Sequence, residues 1–90
     1  MIILSQDKNK AINFNKILGI WIDKNILDKT EPFFTIEAET DGSSIELGRY
    51  NQEERAKEVF QELIETYCNM DNYLADFLHT KIIMYKMPEE

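Results

Sequence analysis

The chain has 90 residues, of which 43% are hydrophobic and 30% are charged, enough for one modest core in a single domain over residues 1–90. A net charge of −7, from 17 acidic and 10 basic side chains, disfavours binding to nucleic acids and to anionic membranes. A basic partner, a cation or simple solubility fits this charge better. The one cysteine, Cys68, cannot form an internal disulfide, and no signal-peptide pattern is seen. Together these features predict a cytoplasmic protein.

The first third of the chain predicts three short strands. Ile2 to Leu4 is an apolar run, and Ala11 to Phe14 follows a polar, turn-like segment. Between Ile17 and Ile22 the apolar residues alternate with other residues, which is the period of a strand. The mainly polar segment Lys24 to Glu31 ends before Pro32, and we expect a loop there.

The centre of the chain predicts a β-hairpin. Asp41-Gly42 lies between two alternating segments, Phe33 to Thr40 and Ser43 to Tyr50, and Asp-Gly at such a place is typical of a type I′ turn. A two-residue loop then sets the register of the strands. The expected pairs are Thr40 with Ser43, Ala38 with Ile45, Ile36 with Leu47, Glu37 with Glu46, Glu39 with Ser44 and Phe33 with Tyr50.

This register sorts the side chains of the hairpin onto two faces, because opposed residues share a face. One face is apolar and is expected to contact a helix. The other face is acidic and aromatic, and alternation places the tryptophan of the preceding strand on the same side. We interpret this second face as a possible partner or dimer surface, unless residues 73–79 cover it. Its predicted members are Trp21, Phe33, Glu37, Glu39, Glu46 and Tyr50.

The second half of the chain predicts a long helix and a last strand. Asn51 is a suitable N-cap, with Glu54 in the capping-box position, and an apolar stripe runs from Ala56 to Cys68. Asn69 to Asn72 interrupts the stripe, so a second short helix or a continued first helix can follow. Lys81 to Met87 resembles a strand. The expected fold is α+β: an antiparallel meander sheet of four to five strands, one long amphipathic helix on one face, and a C-terminal strand at a sheet edge.

No strong catalytic or metal-binding motif is present. The three glycines lack the spacing of a phosphate-binding loop, and one histidine with one cysteine cannot build a zinc site. Glu37 opposite Glu46 is the remaining candidate, because facing carboxylates can hold a weak cation or act as an acid/base pair if they are desolvated. The simpler interpretation is an exposed face on which Lys16 or Lys24 relieves the repulsion between the two carboxylates. We therefore expect no catalytic residue, no cofactor and no metal.

Three short motifs are spread over nearly the whole chain. They are Ser5-Gln6-Asp7-Lys8, then Leu47-Gly48-Arg49-Tyr50 leading into Glu53-Glu54-Arg55-Ala56, and finally Met87-Pro88. In this combination the chain resembles small uncharacterised proteins of Gram-positive bacteria and their phages. The resemblance implies the same fold and a bacterial or prophage setting, and it brings no established activity with it.

These observations leave three hypotheses for function. The first is a non-enzymatic protein-interaction or regulatory module, which follows from the missing chemical motifs and the acidic, aromatic sheet face. The second is a small structural or assembly protein that associates with itself, for example as a homodimer. The third is a weak cation-binding or enzyme site at Glu37 and Glu46.

Overall fold

The computed structural model describes residues 1–26, 31–74 and 84–90, except for the side chains of residues 70–74. It confirms the predicted α+β class. The strands are β1 (Ile2–Leu4), β2 (Ala11–Asn13), β3 (Gly19–Asn25), β4 (Phe33–Thr40), β5 (Ser43–Tyr50) and β6 (Met84–Lys86), and the helix is α1 (Glu53–Leu74). One turn of 3-10 helix, Phe14–Lys16, connects β2 to β3.

The described strands form two small sheets of three strands each, so the expected meander of four to five strands is not confirmed. One sheet has the order β3-β4-β5 and is antiparallel throughout. The other has the order β2-β1-β6, in which β6 runs parallel to β1. The 3-10 turn redirects the chain after β2, so β3 pairs with β4 and not with β2. The C-terminal strand returns to the first strand, and its expected place at a sheet edge is confirmed.

One hydrophobic core lies between α1 and the two sheets. Ile3 from the first sheet, Ile36 from the second and Leu63 from the helix are fully buried. On the helix, Ala56, Val59 and Leu63 are spaced by three and four residues and form the buried part of the predicted stripe. Cys68 ends that stripe in the sequence, but it is exposed. A place in this stripe predicts that Cys68 is a small core residue, and that prediction is wrong.

The helix begins one residue later than an N-cap at Asn51 predicts, and it continues through the polar interruption. The amide of Ala56 donates to the carbonyl of Gln52 at 3.1 Å, so Gln52 occupies the N-cap position. Of the two alternatives at Asn69 to Asn72, the continued helix is found, and it extends to Leu74. Near this end, the ring of Tyr67 stacks on Phe14 with a centroid distance of 4.1 Å, which holds α1 against the turn after β2.

The hairpin keeps its predicted register near the turn. The structure confirms the pairs Thr40 with Ser43, Glu39 with Ser44, Ala38 with Ile45 and Glu37 with Glu46. The turn type differs from the prediction. Gly42 has a φ of 80°, whereas Asp41 does not have a positive φ, so the type I′ prediction is wrong. These signs of φ are those of a type II turn, which needs glycine only at its second central position.

A β-bulge changes the register farther from the turn. Because the shift lies between Ile36 and Glu37, Ile36 pairs with Gly48 and Phe34 pairs with Tyr50. The predicted pairs of Ile36 with Leu47 and of Phe33 with Tyr50 are therefore wrong. Leu47 is the extra residue of β5, and its carbonyl accepts a hydrogen bond from the amide of Gln6 at 2.7 Å. The bulge turns Tyr50 to the inner face, where only 3% of the residue is exposed.

Candidate functional site

The outer face of the β3-β4-β5 sheet is the candidate site. The register places Trp21 opposite Glu37 and Glu37 opposite Glu46, so these three residues form a row across the sheet. Glu39 lies beside this row, between Gly19 and Ser44. On the other side, Asp23 lies opposite Thr35. We call this surface the acidic-aromatic face and define it by Trp21, Asp23, Phe33, Glu37, Glu39 and Glu46.

A chain of hydrogen bonds holds the middle of the face in place. The hydroxyl of Thr35 donates to the carboxylate of Glu37 at 2.8 Å and accepts from the side-chain amide of Asn25 at 3.1 Å. Thr35 is only 2% exposed, so its hydroxyl needs these partners. Beside it, the indole N–H of Trp21 donates to the carboxylate of Asp23 at 3.1 Å. Both acidic side chains therefore have defined positions.

Glu37 is the carboxylate most affected by its surroundings. Desolvation raises its pKa above the ordinary value of a glutamate, and a hydrogen bond and repulsion from Asp23 and repulsion from Glu46 raise it further. The hydrogen bond from Thr35 acts in the opposite direction. The negative charges of this face thus repel one another, and a positive group placed among them would relieve that repulsion.

Arg49 provides one such positive group from within the chain. Its guanidinium lies 4.3 Å from the centroid of the Phe33 ring, and its Nη2 lies 3.3 Å from Oε1 of Glu46. Lys16 or Lys24 was expected to relieve the repulsion between the carboxylates. At Glu46 it is Arg49 that provides this relief. Lys24 pairs with Phe34 in the register and belongs to the opposite face of the sheet.

The structure brings five of the six predicted surface residues together: Trp21, Phe33, Glu37, Glu39 and Glu46. The prediction that Tyr50 lies on this face is wrong, because the bulge turns it inward and its hydroxyl donates to the carbonyl of Pro88 at 2.8 Å. The prediction missed Asp23 and Arg49. Asp23 could have been found, since it follows Trp21 by two positions, whereas Arg49 could not be placed without the bulge.

The sequence left open whether residues 73–79 cover this face. Residues 75–79 and the side chains of 73 and 74 lie outside the described part of the chain. Within the described ranges, no group of three or more histidine, cysteine or acidic side chains could hold a metal ion. The described helix does not combine the length and the apolar character that crossing a membrane requires.

The three sequence motifs meet at a second place, beside β5. The side chain of Gln6 bonds to the main chain of Arg49, and its Nε2 lies 3.1 Å from the carbonyl of Pro88. Gly48 is tightly packed, since a Cβ there would lie 2.9 Å from the hydroxyl of Tyr50. The motifs therefore share a structural role, which is to join the first loop, β5 and the C-terminal segment.

An open pocket of about 490 Å³ lies next to this junction. Its two basic side chains already have acceptors in the chain. Arg55 donates to the main-chain oxygen of Glu90 at 2.7 Å and lies 3.3 Å from Glu58, and Arg49 pairs with Glu46. Since the remaining charged lining residues are acidic, this pocket offers no concentrated positive charge for an anionic ligand.

Comparisons of the chain with models of protein families, with curated proteins and with solved structures find no match. The resemblance to small proteins of Gram-positive bacteria and their phages therefore stays a prediction. The geometry of the acidic-aromatic face is the basis on which a function can be argued.

Proposed function

We propose that this protein is a non-enzymatic interaction module whose acidic-aromatic face binds a basic, extended segment of a partner protein. One observation carries the proposal. Exposed carboxylates of Asp23, Glu39 and Glu46 surround the partly exposed rings of Trp21 and Phe33 on one sheet. Aromatic anchors surrounded by a polar rim are a common arrangement on a surface that recognises a protein.

The internal contact of Arg49 supports the choice of a basic partner. A single guanidinium lies over the Phe33 ring and pairs with Glu46 at the same time. Trp21 and Asp23 offer the same combination of a ring and a carboxylate on the outer strand of the sheet. A cation over an exposed aromatic ring contributes about 0.5–1 kcal/mol, so two or three arginines on a partner would give a weak but specific complex.

The net charge of −7 supports the same partner class. An acidic protein attracts basic segments over a distance of roughly 10 Å at moderate salt, which speeds association and makes it depend on ionic strength. A regulatory role in the cytoplasm of a bacterium, encoded by a prophage or mobile element, is part of this proposal. It fits an adaptor that captures partners reversibly.

Trp21 provides a direct test, since it is the one tryptophan of the chain and its fluorescence reports on the face itself. The probe is a peptide of about ten residues that alternates arginine with threonine, matched to a peptide with glutamate in place of arginine. We expect the basic peptide to bind with a dissociation constant on the order of 10–100 µM and to lose affinity as salt is raised. Absence of binding by the basic peptide would contradict the proposal.

Two double variants locate the binding surface. Glu39→Gln with Glu46→Gln removes two charges from the face, and we expect it to weaken binding about fivefold or more, because the lost attraction is local. Glu58→Gln with Glu65→Gln makes the same change of net charge on exposed positions of α1 and should leave binding within about twofold. Equal effects of the two doubles would show that only net charge matters and would reject the assignment to this face.

A further inference from the structure

Among the strands of the described ranges, β3 lies at the edge of its sheet. β4 pairs along one side of it from Gly19 to Asn25, and within residues 1–26, 31–74 and 84–90 no strand pairs along the other. Such an edge presents unpaired main-chain N–H and C=O groups, which are suited to pairing with another strand. The seven residues of β3 are enough for a complete strand-to-strand contact.

Apolar side chains mark both ends of this edge. Leu18 directly precedes β3 and is 75% exposed, and Ile26 directly follows it and is 66% exposed. They are the two most exposed large hydrophobic residues in the described ranges. In contrast, Ile20 and Ile22 inside the strand pack partly against the core. Exposed apolar residues that bracket an open edge are typical of a contact surface.

We propose that two copies of this chain pair through their β3 edges and form one continuous antiparallel sheet of six strands. Opposed residues share a face of the sheet, and the faces of a strand alternate with residue number. In a two-fold symmetric strand pair, odd-numbered residues must therefore oppose odd-numbered ones and even-numbered residues must oppose even-numbered ones. The register centred on Ile22 uses the whole of β3. It sets Trp21 opposite Asp23 of the second copy, and it brings Leu18 of each copy to the same end as Ile26 of the other.

Alternative symmetric registers are less favourable. Centring on Asp23 or on Lys24 would place identical charges directly opposite each other, which destabilises a strand pair. Centring on Trp21 shortens the overlap and leaves Leu18 without an apolar neighbour. The register centred on Ile22 opposes no like charges, and it gives the Asp23 carboxylate of one copy a position near the Trp21 indole of the other.

Charge is compatible with contact between copies at this edge. β3 contains one acidic residue, Asp23, and one basic residue, Lys24, so it contributes no net charge to a chain of net charge −7. Local charge repulsion between two β3 edges is therefore small. Because a single strand pair is a small interface, we expect a weak dimer with a dissociation constant on the order of 10–100 µM.

This dimer goes beyond the proposed function, because its hydrogen bonds come from the main-chain edge of β3, although Trp21 and Asp23 of the acidic-aromatic face lie beside the contact. A two-fold axis perpendicular to the sheet keeps the acidic-aromatic faces of the two copies on the same side of the joined sheet. Two copies would then present neighbouring binding surfaces to one partner, and simultaneous engagement would raise the apparent affinity for a long basic segment.

Sedimentation velocity from about 5 µM to about 1 mM tests the dimer, because this range spans the expected dissociation constant. Leu18→Glu with Ile26→Glu brings like charges together at both ends and should weaken dimerisation at least tenfold. Leu18→Lys with Ile26→Glu brings opposite charges together. At low salt we expect its dimer dissociation constant to stay within about threefold of the wild-type value. Both positions are exposed, so the fold should be unaffected, as circular dichroism will show. Met84→Glu, at a residue on β6 that is 49% exposed, is a control for adding an exposed glutamate elsewhere and should dimerise like the wild type.

Three results would overturn the proposal: a monomeric wild type at about 1 mM, unchanged dimerisation of the double variant with two added glutamates, or equal loss in both double variants. The third result would reject the register centred on Ile22. The binding of the arginine-threonine peptide to a monomeric double variant is measured separately. Because the peptide is bound by side chains of the acidic-aromatic face whereas dimerisation uses the main-chain edge of β3, retained peptide binding together with lost dimerisation distinguishes the two proposals.

Discussion

Gln6 pairs with the main chain of Arg49 in the way that one strand pairs with another. Its Oε1 accepts from the Arg49 amide at 2.8 Å, and its Nε2 lies 3.0 Å from the Arg49 carbonyl. The same Nε2 lies 2.7 Å from the carbonyl of Glu89. One side chain thus connects the first loop to β5 and to the C-terminal segment, and it accounts for the joint presence of two of the sequence motifs.

Replacement of Gln6 by alanine should lower the free energy of unfolding by about 1–3 kcal/mol, because a hydrogen bond contributes about 0.5–1.5 kcal/mol and several are lost. Urea denaturation followed by circular dichroism measures this change. Gln61→Ala is the control, since the amide of Gln61 donates to Glu65 on the exposed face of the helix at 2.9 Å, and it should cost less than about 0.5 kcal/mol. Equal costs for the two variants would contradict the joining role of Gln6.

Gly48→Ala should be markedly more destabilising than Gly19→Ala. A Cβ at Gly48 would lie 2.9 Å from the Tyr50 hydroxyl and 3.2 Å from Cε of Met87, whereas at Gly19 the nearest such atom, in Trp21, is 4.0 Å away. We expect a loss of about 1–3 kcal/mol at Gly48, which is the usual cost of overpacking, and under about 1 kcal/mol at Gly19. Thermal melts of both variants measure the difference, and a tolerated alanine at Gly48 would show that Tyr50 can move.

Stability should fall at alkaline pH because of Tyr50. Burial raises the pKa of Tyr50 to about 12, and the charge of Arg55 opposes this rise only in part. The folded state then holds the phenolic proton more tightly than the unfolded state. The contribution of Tyr50 to the free energy of unfolding is therefore complete below about pH 10 and is lost as the pH rises toward 12. Melting temperatures between about pH 8 and pH 12 should therefore decline.

Tyr50→Phe separates this titration from other effects of high pH. The variant loses the hydrogen bond to Pro88, so it should be about 0.5–1.5 kcal/mol less stable near pH 8. Its stability should then fall less steeply with pH than that of the wild type, because one shifted phenol has been removed. Part of the loss of stability at high pH should remain in both proteins because of Tyr85, since burial and a hydrogen bond to Glu62 raise its pKa as well. Parallel pH profiles would exclude Tyr50 as the cause.

Glu37→Gln should stabilise the protein at neutral pH. The pKa of Glu37 is raised, mainly by desolvation and by repulsion from Asp23 and Glu46. Its contribution to stability is therefore present at low pH and is lost as the pH rises through that raised pKa. Glutamine removes the repulsion and keeps an oxygen that can accept from Thr35. The expected gain at pH 7 is below about 1 kcal/mol, the range of cross-strand pairs.

The same substitution should have no stabilising effect at a pH low enough to protonate Glu37, because the wild type then carries no charge there. Chemical denaturation at about pH 4 and pH 7 measures both cases. Glu53→Gln is a control, since Glu53 forms an ion pair with Lys57 at 3.0 Å and should not be stabilised by losing its charge. A Glu37 variant that is less stable at neutral pH would contradict repulsion as the dominant effect.

Much of the fold and of the candidate site follows from patterns within short segments. Period-two alternation around Asp41-Gly42 is sufficient for the hairpin and for its pairs next to the turn, and the spacing of Ala56, Val59 and Leu63 is sufficient for the buried side of the helix. The same alternation places Trp21, Phe33, Glu37, Glu39 and Glu46 on one face. These features depend on neighbouring residues, because strand and helix geometry repeat over two and 3.6 residues.

By itself, then, the sequence determined the α+β class, the two-sided hairpin and the acidic character of its outer face. The tertiary structure alone decided the division into two sheets, the bulge at Leu47 and the inward position of Tyr50. The reason is that the bulge is held by Gln6, whose side chain bonds to Arg49 over a separation of 43 positions. Contacts between such distant segments leave no periodic signal in either segment, so only the folded chain shows that Arg49 joins the face and that Tyr50 leaves it.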